Sequence, residues 1–217
     1  MLFRSPRIPL DRVSIFGTNP EVNQLNDLSL LQLDGELYES KAIVYHRTLK
    51  NYKPAMDRTG NIRNTPLQET LKFKIGSKIM LTVNLKTTDG LTNGAMGRVM
   101  GVRVDERGIL QEVHVTFFNE DVAKETYKSF SYLHSKYGVP CIAVKRFEVE
   151  YRLGKENAGV KSSAMALNFP LRLAEAVTVH RVIHINILEN LHKLHILDPR
   201  TNSEVSHCCC CRPEEMW

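Results

Sequence analysis

At 217 residues the chain has room for one compact domain carrying an insert, or for two small domains. Hydrophobic residues at 42% and charged residues at 24% exclude wholesale disorder, and no stretch nears the roughly 20 apolar residues that span a bilayer. The 29 Lys and Arg against 24 Asp and Glu give a formal +5, compatible with a polyanionic partner without demanding one, and Met1–Leu10 lacks the apolar centre of a signal peptide, so an intracellular protein is expected.

In chain order, the apolar run Val13–Phe16 predicts a strand, Gly17-Thr18-Asn19-Pro20 a turn, and Val22, Leu25, Leu28 and Leu31 the apolar face of a helix. Asn19 suits the N-cap, Pro20 the first helical position and Glu21 the positive end of the dipole, with Gly35 just past the end. Residues 45–70 are polar, hold Pro54, Gly60 and Pro66, and predict a loop or linker.

From Leu71 short β-like runs take over: Phe73 and Ile75 alternating with lysines, Ile79–Leu81, Val99–Val104, Val113–Phe117, Ile142–Val144 and Phe147–Tyr151. Regular turns and no long helix predict a small barrel. Asn93-Gly94 predicts a type I′ turn, and Gly90, Gly94 and Gly97 do not form a phosphate cradle because no Gly-Lys-Ser/Thr follows. Tyr127–Tyr137 is a polar excursion whose aromatic residues are expected to pack on the barrel. Met165, Leu167 and Phe169 predict a further strand, and Pro170 is expected to open a helix over residues 171–180.

Basic residues concentrate between Leu71 and Arg103, where Lys72, Lys74, Lys78, Lys86, Arg98 and Arg103 face a single acid, Asp89. The bland reading of such a cluster is a solvated face. Of the cysteines, Cys141 stands alone and Cys208 to Cys211 are consecutive, which argues against both a disulfide framework and a tetrahedral zinc site.

Three segments together resemble the PIF-type superfamily-one DNA helicases, in particular a transposon-borne branch. They are Ile15–Asn26 with its Thr-Asn turn; Leu71–Leu81 continuing through Asn84-Leu85 to Leu91-Thr92-Asn93-Gly94-Ala95-Met96-Gly97; and Phe169-Pro170-Leu171-Arg172-Leu173-Ala174 with Thr178-Val179-His180. The resemblance implies an α/β fold: a partial second RecA-like domain into which a small Src-homology-like β-barrel is inserted. On that basis residues 11–50 begin the RecA-like domain, 51–70 link, 71–160 form the barrel, 161–190 return to the RecA-like domain, and 191–217 are a divergent tail expected to be disordered. After His180 the family's Lys-x-Gln-Gly is replaced by Arg181-Val182-Ile183-His184, and the resemblance ends.

The resemblance implies an ATP-dependent DNA helicase acting in DNA repair, recombination, telomere maintenance or transposon replication, with ATP and Mg²⁺ as cofactors and single-stranded DNA as partner. Neither a Gly-x-x-x-x-Gly-Lys-Ser/Thr loop nor an apolar strand ending in paired acids occurs in the 217 residues, so this chain alone is expected to be inactive and to depend on an N-terminal RecA-like domain. The residues implied to contact DNA are Thr18, Asn19, Lys72, Lys74, Lys78, Lys86, Asn93, Thr178 and His180. No metal and no membrane association are expected, and a monomer acting in the nucleus is. The alternative readings are a non-enzymatic nucleic-acid-binding or interaction module, and a decayed transposon-derived relic.

Overall fold

The computed structural model describes residues 13–46, 53, 54, 56, 57, 60–152, 163–178, 194–197 and 204–205. Strand β1 (Val13–Phe16) runs into helix α1 (Asn19–Gln32). The cap falls one residue earlier than the sequence suggests: Thr18 keeps an extended backbone, and its N–H and hydroxyl both donate to Glu21 Oε2 at 3.2 and 2.7 Å. The buried stripe of α1 is Val22, Asn26 and Leu30, whereas Leu28 and Leu31 are 46% and 78% exposed. Each step of three residues falls about 60° short of a full turn, so Leu31 ends opposite Val22, while steps of four stay on one face.

Short strands follow: β2 (Tyr38–Lys41), β3 (Ile43–His46), β4 (Thr70–Phe73) and β5 (Lys78–Leu81). A 3₁₀ turn (Thr87–Asp89) leads to β6 (Met96–Val104) and β7 (Leu110–Phe117). Next come two short helices, α2 (Lys124–Lys128) and α3 (Ser131–Tyr137), then β8 (Ile142–Val144) and β9 (Phe147–Arg152). The chain returns through β10 (Ser163–Asn168), β11 (Leu171–Leu173) and β12 (Ala176–Thr178), with β13 (Leu194–Leu197) and β14 (Glu204–Val205) beyond. The segment expected to be a disordered tail therefore supplies two strands.

An antiparallel sheet in the order β11-β5-β6-β7-β8 wraps the main core of Phe73, Ile79, Leu81, Val99, Val113, Val115, Phe169 and Leu171. Each such fully buried side chain contributes roughly 1.5–3 kcal/mol over its exposed state. The result is the mixed α/β, sheet-dominated fold with a barrel-like unit that the sequence predicts. A second sheet, β12-β1-β13-β14, is parallel where β1 meets β12 and β13, and Met80 of β5 packs against its Val13, Ile15 and Val177.

Residues 171–178 form strands, not the expected helix. Leu171 and Leu173 pair with Leu81 and Ile79 of β5, and Val177 pairs with Ile15 of β1, so partners 90 or more residues away override a short apolar pattern that fits either period. The Asn93-Gly94 turn is also not type I′. Only Gly94 has a positive φ, of 94°, and the Ala95 N–H donates to the Thr92 carbonyl at 3.0 Å, the arrangement of a type II turn. The stretch read as a linker is anchored, because Ile62 and Leu67 are fully buried beneath the β3-β10-β9 sheet with Tyr151, Ala164 and Ala166.

Candidate nucleic-acid interface

In a parallel sheet neighbouring strands end side by side, and ligands of open α/β folds sit beyond their carboxyl ends. Phe16 is in register with Thr178, so the Thr18-Asn19 turn leaves β1 where Thr178 closes β12. The Thr18-Asn19 turn and Thr178, about 160 positions apart in sequence, thus lie at the same end of neighbouring strands. Asn19 is partly exposed at the first turn of α1; Thr178 is 8% exposed. His180 lies outside the described residues.

Electrostatics at this edge are not simply attractive. The Glu21 carboxylate sits on the Thr18 N–H and hydroxyl at the amino end of α1, where an incoming anion would otherwise find free donors. Thr18 and Glu21 show the three-residue spacing of a capping box, legible in the sequence but not recognised there.

The lysines divide. Lys78 does not line an exposed face: its side chain is 2% exposed and its Nζ lies 2.9 Å from Glu175 Oε2, in the peptide between β11 and β12. It holds the barrel onto the parallel sheet. Lys74 donates from Nζ to the Leu33 carbonyl at 2.6 Å, satisfying the carboxyl end of α1, about 20 Å of helix away from Asn19. Lys72 and Lys86 stay about half exposed, beside Glu39 at 3.8 Å and Asp89 at 3.7 Å, separations at which each head group remains open to solvent.

Lys72 borders a groove of about 240 Å³ between α1 and the barrel, lined also by Asn23, Asn26, Asp27, Gln68 and Arg172. No periodic signal announces this groove in the sequence, because its residues come from three separate segments. At the signature turn, Asn93 presents its side chain to solvent while its N–H donates to Asn84 Oδ1 at 2.7 Å. Asp89 accepts the Glu125 and Thr126 N–H groups at 3.0 and 2.8 Å, and these bonds, led by the one from the Thr126 hydroxyl, bring its pKa down to about 2.

The aromatic residues of the excursion pack as expected, except one. Tyr127 accepts the Phe117 N–H at 3.3 Å, Phe130 lies on the core, and Tyr137 meets His114 Nδ1 at 2.8 Å, but Tyr132 is 56% exposed. The lone Cys141 is buried, which pushes its thiol up to about 11 and leaves it inert at neutral pH. The consecutive cysteines lie outside the described residues. Among the described residues no helix is long and apolar enough to cross a membrane, and no group of three His, Cys, Asp or Glu side chains is placed to hold a metal.

Residues 61–102 match the family model described as DNA helicase Pif1, 2B domain. The chain is 32% identical over 89 residues to the ATP-dependent DNA helicase PIF1 of Rattus norvegicus, covering 41% of this chain and 13% of the rat protein. It is 37% identical over 62 residues to the Homo sapiens protein of that name, covering 26% and 10% respectively. The matches thus span about an eighth or less of those relatives.

Two solved structures share the fold. Bacteroides Pif1 bound to ssDNA has a TM-score of 0.50 at 19% identity, covering 79% of this chain and 32% of that one. Pif1 from Candida albicans has a TM-score of 0.50 at 15% identity, covering 84% and 38%.

Proposed function

Starting from a chain that belongs with the PIF1-type superfamily-one helicases, we propose that it forms the DNA-contacting share of an ATP-dependent DNA helicase and holds single-stranded DNA beyond the carboxyl ends of β1 and β12. The observation that carries this reading is the register of Phe16 with Thr178, which brings the Thr18-Asn19 turn and Thr178 to the same end of two neighbouring parallel strands. Both groups donate to phosphate oxygens without reading bases. Thr18 positions the turn, its hydroxyl being given to Glu21. Lys72, Lys86 and Asn93 supply the outer contacts; Lys74 and Lys78 are structural.

ATP and Mg²⁺ do not fit the residues at hand. The β1–α1 turn has no Lys to meet the β and γ phosphates, and no Gly-x-x-x-x-Gly-Lys-Ser/Thr loop occurs in the 217 residues. In this reading nucleotide chemistry belongs to a RecA-like lobe outside the 217 residues. The settings that suit such a protein are DNA repair, recombination, telomere maintenance or, in the transposon-borne branch, transposon replication, with a monomer acting in the nucleus.

The test is fluorescence anisotropy with a labelled oligothymidylate, alongside ATP hydrolysis by the purified chain. Expected are binding that weakens steeply with salt, a several-fold loss in Asn19→Ala, and no turnover. Affinity insensitive to both salt and Asn19, or oligonucleotide-stimulated hydrolysis, overturns the reading. A second reading, a nucleic-acid-binding module with no enzymatic role, draws on the same Glu21 carboxylate; a cooperative melt with DNA binding but no rescue of activity by a supplied motor lobe would favour it.

A further inference from the structure

Across three neighbouring barrel strands runs one row of charges away from the β1–β12 edge. Arg103 of β6 pairs with Glu112 of β7, and because Val113 pairs with Val144 of β8, Lys145 continues the same row. Glu112 is buried, its side chain 7% exposed, and it accepts Arg103 Nε at 2.9 Å and Nη2 at 2.8 Å, with Lys145 Nζ at 3.7 Å. The two cations project into solvent, with side chains 57% and 68% exposed. One buried carboxylate thus fixes two exposed cations and leaves the row net positive. In the β6–β7 turn Asp105 accepts the Arg107 and Ile109 N–H groups at 3.0 and 2.8 Å.

The adjoining part of this face is covered by α3. Gly101 lacks the Cβ that would collide with the Tyr137 hydroxyl, so the hydroxyl end of Tyr137 reaches over it and bonds to His114. Lys136 stands over the Tyr137 ring at 5.1 Å, adding a third cation. One and a half helical turns earlier, Tyr132 holds its ring in the solvent, steadied by a tilted contact with Phe130 at 6.2 Å.

We propose that Arg103, Lys145, Lys136 and Tyr132 form a second binding surface for single-stranded nucleic acid, separate from the β1–β12 edge. The cations take successive phosphates and Tyr132 stacks a base, the combination that sequence-tolerant single-strand binding requires. A purely solvated charged face has no use for an exposed ring beside a fixed guanidinium, and a duplex offers no unstacked base to it. Arg103 keeps donors for a phosphate after its two bonds to Glu112.

The test uses the 217-residue chain and 4-thiothymidine oligonucleotides, reading anisotropy at several salt concentrations and mapping photo-crosslinks by mass spectrometry. Lys136→Ala with Lys145→Ala lowers the salt slope by about 1.4 and Tyr132→Ala lowers affinity about tenfold, while Tyr132→Phe binds as the natural chain does. All three positions are exposed, and an unchanged thermal melt confirms that the variants fold. Crosslinks on α3 support the surface. Crosslinks confined to the Thr18-Asn19 turn, with affinity and slope unchanged in these variants, overturn it while leaving the proposed function standing. A natural chain that binds no oligonucleotide overturns both.

Discussion

The ion pair at the barrel junction and the charged row on the barrel's outer face use the same chemistry to opposite ends. At the junction Lys78 and Glu175 are withdrawn from water between two sheets, and neither is available to a ligand. On the outer face only the acid, Glu112, is withdrawn, and its cations remain at the surface. Which partner is buried decides whether a charge pair is a fastener or a recognition surface. A count of lysines along the sequence cannot make that distinction.

The sharpest way to break this comparison is at the junction. Lys78→Ala leaves the Glu175 carboxylate without its partner and costs about 3–5 kcal/mol, which for a chain of this size lowers the melting temperature by roughly 10 °C. A melt within a degree or two of the natural chain would show that the junction pair fastens nothing. Next is Gly97→Ala, where a Cβ would run into the Thr116 carbonyl and come within 2.9 Å of Val115 Cγ1. Because backbone cannot yield as a side-chain tip does, we expect a loss of about 1–3 kcal/mol by denaturant titration.

Acid titration sharpens the contrast between structural and available carboxylates. Asp89 has a folded pKa lowered from 3.8 to about 2, so it contributes stability that is present above the unfolded value and lost as pH falls from about 4 towards 2. Asp89→Asn should flatten that acid limb in a pH series of melts while loosening α2, whose first N–H groups it holds. The smallest expected effect lies at the sheet edge. Glu21→Gln removes the negative charge at the start of α1, and oligothymidylate affinity should rise a few-fold at low salt, an effect that salt erases.

Much of the fold was legible. The turn at Asn93-Gly94, the alternating runs around it and the β1–turn–α1 unit follow from local chemistry, and each forms where expected. Residues 171–178 predict a helix and form strands because Leu171, Leu173, Val177 and their neighbours satisfy a helical stripe and an alternating strand equally; only β5 and β1, supplied from far upstream, select the strand. At the site, the place of Thr178 at the end of a strand beside β1 was not legible, because residues 171–180 predict a helix, and the buried fate of Lys78 depended on Glu175, an acid with no sequence neighbour to announce the pair. The Glu112 row escaped notice for the same reason, being assembled across three strands.

One asparagine has consequences for the molecule as a whole. From the buried face of α1, Asn26 receives the Ala176 N–H on Oδ1 at 3.0 Å and gives Nδ2 to the Ala176 carbonyl at 3.3 Å, so a carboxamide stands in for the peptide group of a missing neighbour on the outer side of β12. That side of the sheet is terminated: a second molecule seeking to extend it would first have to pull the helix away.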